Sequence, residues 1–184
     1  MKTDDWVWGQ EIIIWGDEPS HEYTFKILQP KKGRDGCLSL QFHNGKSESW
    51  LCLRGTAWTL VVADGRVCTR LLYPGDIQVL RAGVIHRLMG VTDDVQVAEP
   101  SSPDRHAADK SAAKDVVRLH CVMGRESVPP RTEEEAEVVR TSIAYTEEAI
   151  AAVERGEMPC EHNAAYLLEH GGASLWQGEV REKS

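Results

Sequence analysis

At 184 residues, with 41% hydrophobic and 27% charged residues, the chain is long enough to bury one sizeable core and has the composition of an ordinary globular domain. Its 29 acidic against 21 basic residues give a formal charge of −8, so it has no basic surplus to hold a phosphate backbone, and nucleic acid is excluded as an expected partner. No run approaches the roughly 20 apolar residues that cross a bilayer, and the acidic start MKTDDWVWGQ lacks the apolar centre of a secretion signal. The expectation is a cytoplasmic protein without membrane contact. The five cysteines are odd in number and show no CxxC spacing, which predicts five free thiols in a reducing compartment.

In chain order, residues 6–29 read as short strands. WVWGQEIIIWG clusters Ile12, Ile13, Ile14 and Trp15 between Gly9 and Gly16, and YTFKIL alternates Tyr23, Phe25 and Ile27 against Thr24 and Lys26. QPKKGRDG (29–36) is a loop by its Pro, Gly and charges. Strands follow at 38–43, 49–55 and 56–62, and Ala63-Asp64-Gly65 turns the last into a hairpin with 66–73. Pro74-Gly75 leads to a strand at 76–80, and Ala82-Gly83 to IHRLMGV and DVQVAEP. Strands every eight to twelve residues with turns between them predict an all-β sandwich or barrel.

After Pro100 the composition changes. SSPDRHAADKSAAKD carries no large apolar residue and reads as a surface excursion. A short apolar return, Val116 to Leu119, precedes Pro129-Pro130. Thr132 with Glu135 three residues on is a capping box that starts a helix running to about Arg155, with Gly156 as its stop. A second short helix is expected at 161–170, ended by Gly171-Gly172.

The segment QFHNGKSESWLCLRG (41–55) carries the chemistry. Gln41 and His43 are two apart and project to one side of a strand. Glu48 lies an odd five residues past His43, so it rejoins that side only if the chain turns between them, and Asn44-Gly45 is a strong turn signal. His86, in a second glycine-bounded segment, is able to close the set. An amide oxygen, two imidazoles and a carboxylate suit a divalent metal such as Zn, Mn, Fe, Co or Ni.

Gln41-x-His43, Glu48 after four intervening residues, Gly55 after six more, and then Gly75, Gly83 and His86 together resemble the paired motifs of the cupin superfamily. The resemblance covers residues 36–98. LSLQFH, W..LRGTA, AGVIHR and the later DVVRLHCVMGR are most similar to the mannose-6-phosphate isomerase-like branch, where Gln stands for the first His. The resemblance implies a cupin β-barrel or jelly roll over 1–128 and a C-terminal helical extension over 129–184. It implies a metal set of Gln41, His43, Glu48 and His86, and, as in cupin dimers, strands such as 11–15 and 23–28 pairing across a two-fold with a second chain. The pattern is departed from at Asn44, Gly45, Ser49, Arg81 and Gly90.

The implied function is a metal-dependent isomerase or epimerase acting on a small sugar or sugar phosphate, with Lys46 and Glu48 as catalytic candidates. Arg54, Arg81 and Trp50 are the candidate substrate contacts. The competing reading of Lys46 is a solvated turn lysine, and that of Trp50 and Trp58 is wall packing. His21, His106, His120, His162 and His170 match no motif and read as surface or packing residues. The alternatives in function are another metallocupin enzyme (an Fe(II) dioxygenase or a lyase) and a non-catalytic sugar-binding cupin.

Overall fold

The computed structural model describes residues 2–103, 111 and 114–174. Its strands are β1 (Lys2–Trp6), β2 (Gly9–Trp15), β3 (Thr24–Pro30), β4 (Leu40–His43), β5 (Glu48–Arg54), β6 (Ala57–Ala63), β7 (Arg66–Leu72), β8 (Asp76–Leu80), β9 (His86–Gly90), β10 (Gln96–Ser101), β11 (Val116–His120) and β12 (Gly172–Ser174). They form a seven-stranded sheet in the order β1-β2-β3-β10-β5-β8-β12 and a five-stranded sheet in the order β11-β4-β9-β6-β7. The pairings between these strands are antiparallel. This is the all-β barrel that the strand spacing and the cupin resemblance lead one to expect.

Period-two alternation explains why the sheets enclose one space. Along β9, Leu88 joins an interior cluster with Trp50, Cys52, Ala57, Val61, Leu80 and Val97, residues drawn from both sheets. Met89, one residue on, joins a second cluster on the outer face of the five-stranded sheet. Helix α1 (Glu133–Glu154) covers that outer face, packing Val139, Ala149, Ile150 and Val153 against Leu40, Phe42, Trp58 and Leu60. Strand β4 is divided in the same way, with Leu40 and Phe42 under the helix and Gln41 and His43 lining the interior. Helix α2 (Ala164–His170) sends Leu167 into the interior cluster.

The caps follow the sequence with one change. Thr132 Oγ1 accepts the Glu135 N–H at 3.1 Å, but the Glu135 carboxylate reaches back to the Arg131 N–H and guanidinium rather than to Thr132. Gly156, at φ 77°, ends α1 in the left-handed region that glycine enters freely.

The turn expected at Asn44-Gly45 is present, as a corner that carries the chain from one wall of the barrel to the other, since β4 belongs to the five-stranded sheet and β5 to the seven-stranded one. One expectation is corrected, that of strands pairing with a second chain. β2 lies between β1 and β3, and β3 between β2 and β10, so neither has a free edge. The outer strand at that end of the sheet is β1. Most of the excursion expected over 101–114 lies outside the described residues, as does the tail from 175. None of the described helices is long and apolar enough to cross a membrane.

Candidate metal centre

The corner explains how an odd spacing delivers two side chains to one point. His43 ends β4 and Glu48 begins β5, so each faces the interior from an opposite wall. His86 begins β9, directly across from Gln41. Glu48 Oε1 lies 3.3 Å from His86 Nε2, and its Oε2 lies 3.7 Å from His43 Nε2. The two imidazoles face each other with centroids 5.7 Å apart and planes 20° from parallel. All three residues are buried, at 8%, 5% and 2% exposure for His43, Glu48 and His86. Among the described residues, this is the one group of His, Cys, Asp and Glu side chains arranged closely enough to share a metal ion.

The hydrogen bonding of His86 shows what the group lacks. Its Nδ1 lies 2.9 Å from the Val84 carbonyl, which only accepts, so Nδ1 carries the proton. Burial holds His86 below its ordinary pKa, so the ring is neutral at pH 7 and Nε2 presents a lone pair. That atom has no hydrogen-bond partner and faces a carboxylate oxygen. Two buried electron-pair donors aimed at each other call for a cation between them. Two ligand atoms on a tetrahedral ion at about 2.0–2.1 Å are themselves about 3.3 Å apart. His43, Glu48 and His86 thus fit a divalent metal in donor type and separation, and Gln41, which faces the interior with His43 and Glu48 and pairs with His86 across β4 and β9, is the fourth candidate.

Lys46 is a buried residue, 7% exposed, and no solvated turn lysine. Its ammonium lies 2.5 Å from Glu48 Oε2 and 3.0 Å from Glu99 Oε1. Burial opposes its charge, but Glu99 and Glu48 outweigh burial and hold Lys46 well above the usual lysine range. The same contact with Lys46 keeps Glu48 ionised although burial alone would raise its pKa. Glu99 is pushed up by burial and by the Glu48 charge. His43 is pulled down to about 4 by burial and by Lys46.

These groups open onto a cavity of about 400 Å³. The three residues expected to touch substrate do not line it. Arg54 pairs with Asp94 at 3.0 Å on the surface. It shares the parity of Glu48 along β5, but six residues at about 3.3 Å each place it about 20 Å farther along the strand. Arg81 is exposed because Leu80 before it points inward, so Arg81 points out. Trp50 is buried against the His86 ring edge, with Nε1 donating to Glu99 Oε2 at 3.2 Å, which makes it a wall of the centre.

Other residues stand where those were expected. Trp6 and Trp8 line the cavity from the β1–β2 end, and Lys114, Arg118 and Arg125 line it from the β11 side. Arg118 Nε is buried without a hydrogen-bond partner, while Arg125 donates to Ser39 Oγ and Cys121 Sγ. Asp115, Arg118 and Arg125 all lie in DVVRLHCVMGR, the stretch that carried part of the resemblance, but nothing in its spacing assigned them roles. Glu99 sits in an unremarked strand end, and its carboxyl is legible only once β10 is placed beside β5.

No model of a known protein family matches the chain, and no curated protein matches it either. Among solved structures it is similar to KdgF from Halomonas sp., at 18% identity over 56% of this chain and 83% of that one, with a TM-score of 0.44. It is also similar to oxalate decarboxylase from Lactobacillus farciminis in a formate complex (17%, 64% and 33%, 0.49). A third likeness is to CapF, a capsular polysaccharide assembling protein from Staphylococcus aureus (13%, 65% and 31%, 0.48). The chain thus spans most of KdgF but only about a third of the other two. Likenesses of this degree assign no activity, and the barrel is defined by this chain's own strand pairing.

Proposed function

We propose that this chain is a metallocupin enzyme, an isomerase or epimerase that moves a proton between neighbouring carbons of a small sugar or sugar phosphate. The observation that carries the reading is the bare His86 Nε2 facing Glu48 Oε1 beside a buried ammonium, where Glu48, His43 and Lys46 line a cavity of sugar size. A divalent ion held by His43, Glu48 and His86, with Gln41 beside them, supplies Lewis acidity toward a substrate carbonyl or hydroxyl oxygen.

The chain's own groups do the rest. Lys46, kept protonated by Glu99 and Glu48, donates a hydrogen bond to substrate oxygen. Glu99, which lines the cavity and is held above its ordinary pKa by burial and by Glu48, takes the C–H proton and returns it to the neighbouring carbon. Arg118, Arg125 and Lys114 offer cationic donors to the far end of the substrate. Trp6 and Trp8 offer ring faces to the apolar side of a sugar. A cytoplasmic location and a homodimer belong to the same reading. The five free thiols support the first, and the exposed Ile14, Trp15 and Tyr23 of the β2–β3 region support the second.

The test is solvent-deuterium exchange and isomer formation, followed by NMR, across aldoses and ketoses with and without phosphate, with Zn, Mn or Co loaded. Exchange in the wild type that is lost in His43→Ala/His86→Ala supports the reading. No exchange with any sugar by a metal-loaded chain overturns it, and substrate-dependent oxygen uptake with iron would put an oxygenase in its place.

A further inference from the structure

We infer that Asp115 is the positioning residue of this centre: its carboxylate holds the His43 imidazole with Nδ1 protonated and Nε2 bare, ready to serve as a ligand. The inference rests on the metal reading given above and names the group that prepares one of its ligands.

The corner at 44–47 is where the chain changes walls, so its backbone N–H groups have no ladder partner. Asp115 supplies one. Its Oδ1 accepts the Gly45 N–H and its Oδ2 accepts the Lys46 N–H, each at 2.9 Å. Its backbone carbonyl accepts the Asn44 N–H at 3.2 Å and the Asn44 side-chain amide at 3.1 Å. The next residue, Val116, pairs with His43 in the β4–β11 ladder. One residue thus grips three consecutive residues between the ligands His43 and Glu48.

The same Oδ2 lies 3.5 Å from His43 Nδ1, an atom that is buried and without a hydrogen-bond partner. An imidazole ligates through whichever nitrogen lacks a proton, and an acceptor at the other nitrogen sets the choice. Two carboxylates compete for the His43 proton, Asp115 at Nδ1 and Glu48 at Nε2, 3.7 Å away. Glu48 Oε2 is already engaged by the Lys46 ammonium at 2.5 Å. Asp115 Oδ2 also accepts a bond, but from the uncharged Lys46 backbone N–H, and it is the nearer of the two, so the proton is held on Nδ1 and the Nε2 lone pair points at Glu48.

Two measurements test this. One is the zinc affinity, by competition with a chromophoric chelator, of wild type, Asp115→Asn, Asp115→Glu and Asn44→Ala. The other is the His43 tautomer in metal-free, ¹⁵N-histidine-labelled protein. Asp115→Asn is expected to weaken zinc about 10- to 100-fold, as loss of a ligand's outer partner does. Asp115→Glu should recover part of that loss. Asn44→Ala loosens the corner without touching the carboxylate, so it should lower the melting temperature and leave affinity nearly unchanged. Metal-free wild type should show the Nδ1–H form of His43, and Asp115→Asn a shift toward Nε2–H.

Wild-type affinity in Asp115→Asn, or an equal loss in Asn44→Ala, overturns the inference. An Nε2–H tautomer in wild type also overturns it, and that readout decides the matter if the variants fail to fold. Absence of zinc binding by the wild type overturns the metal reading instead, while the tautomer still judges Asp115.

Discussion

Lys46 Nζ sits 2.5 Å from Glu48 Oε2, and the same ammonium reaches Glu99 Oε1 at 3.0 Å. One buried cation therefore bridges two buried carboxylates on the wall opposite the histidines. Lys46→Met removes the cation they share, leaving Glu48 without it and Glu99 with only the Trp50 N–H and the Lys26 charge, and should cost about 3–5 kcal/mol. Urea denaturation at neutral pH measures this, and Lys46→Met/Glu99→Gln should recover much of the loss. Under the proposed chemistry, a Lys46→Met protein that still binds metal should turn over about 10²- to 10⁴-fold more slowly.

Stability of the metal-free chain should depend on pH through His43. Its folded pKa is about 4 against an ordinary 6.5, so between those values the unfolded chain takes up a proton that the folded chain refuses. The contribution of the neutral ring is present above pH 6.5 and is lost as pH falls toward 4. His86, also held down by burial, acts in the same direction. Unfolding free energies of wild type and His43→Ala at pH 7.5 and pH 5 check this, and the wild type should lose more on acidification. An equal loss in both would rule out His43 as the source.

Arg87, next to His86 but pointing to the opposite face, is fully buried and donates to Thr146 Oγ1 of α1 at 2.7 Å and to the His120 carbonyl at 3.0 Å. Its Nε already lacks a partner. Thr146→Val removes one charged hydrogen bond at nearly constant volume and should cost about 1.5–3 kcal/mol. A melting temperature within error of wild type would show that the helix is held by its apolar face alone.

Gly90 and Gly65 should differ sharply when changed to alanine. A Cβ on Gly90 would lie 2.1 Å from the Lys31 carbonyl oxygen, where the chain bridges Lys32 to β9. Gly65, at φ 76°, has nothing within 4 Å of such a Cβ. Gly65→Ala should cost about 1–2 kcal/mol of backbone strain. Gly90→Ala must displace backbone as well and should cost more, as comparative thermal unfolding would report.

Much of this molecule is legible in its sequence because short-range physics fixes it. Alternation and glycine turns mark the strands, Thr132 marks the start of α1, and Asp64-Gly65 marks a hairpin in which both residues have positive φ. For His43, Glu48 and His86 it is the resemblance to the cupin motifs, rather than local physics, that points to the centre. What escapes the sequence depends on sheet membership. Asn44-Gly45 has hairpin chemistry, but β4 buries Leu40 and Phe42 under α1 while β5 buries Trp50 and Cys52 inside, so the strands join different walls. Asp115 and Glu99 reach the centre from 67 and 51 residues beyond Glu48, across ladders that no local pattern announces. Arg54 and Arg81 mislead because nearness in sequence sets neither distance along a strand nor the direction of a side chain.

Since β4 and β9 belong to one sheet and β5 to the other, an ion held by His43, His86 and Glu48 would be a clasp between two halves of the barrel. Pulling the walls apart would then mean breaking coordination bonds as well as apolar contact. At a hundredfold excess over its dissociation constant, the ion would add about 2.7 kcal/mol to the folded state. Chelation should accordingly do more than silence a reaction. It should loosen the sandwich at its mouth, so that backbone amides near 43, 48 and 86 exchange with solvent before those under α1.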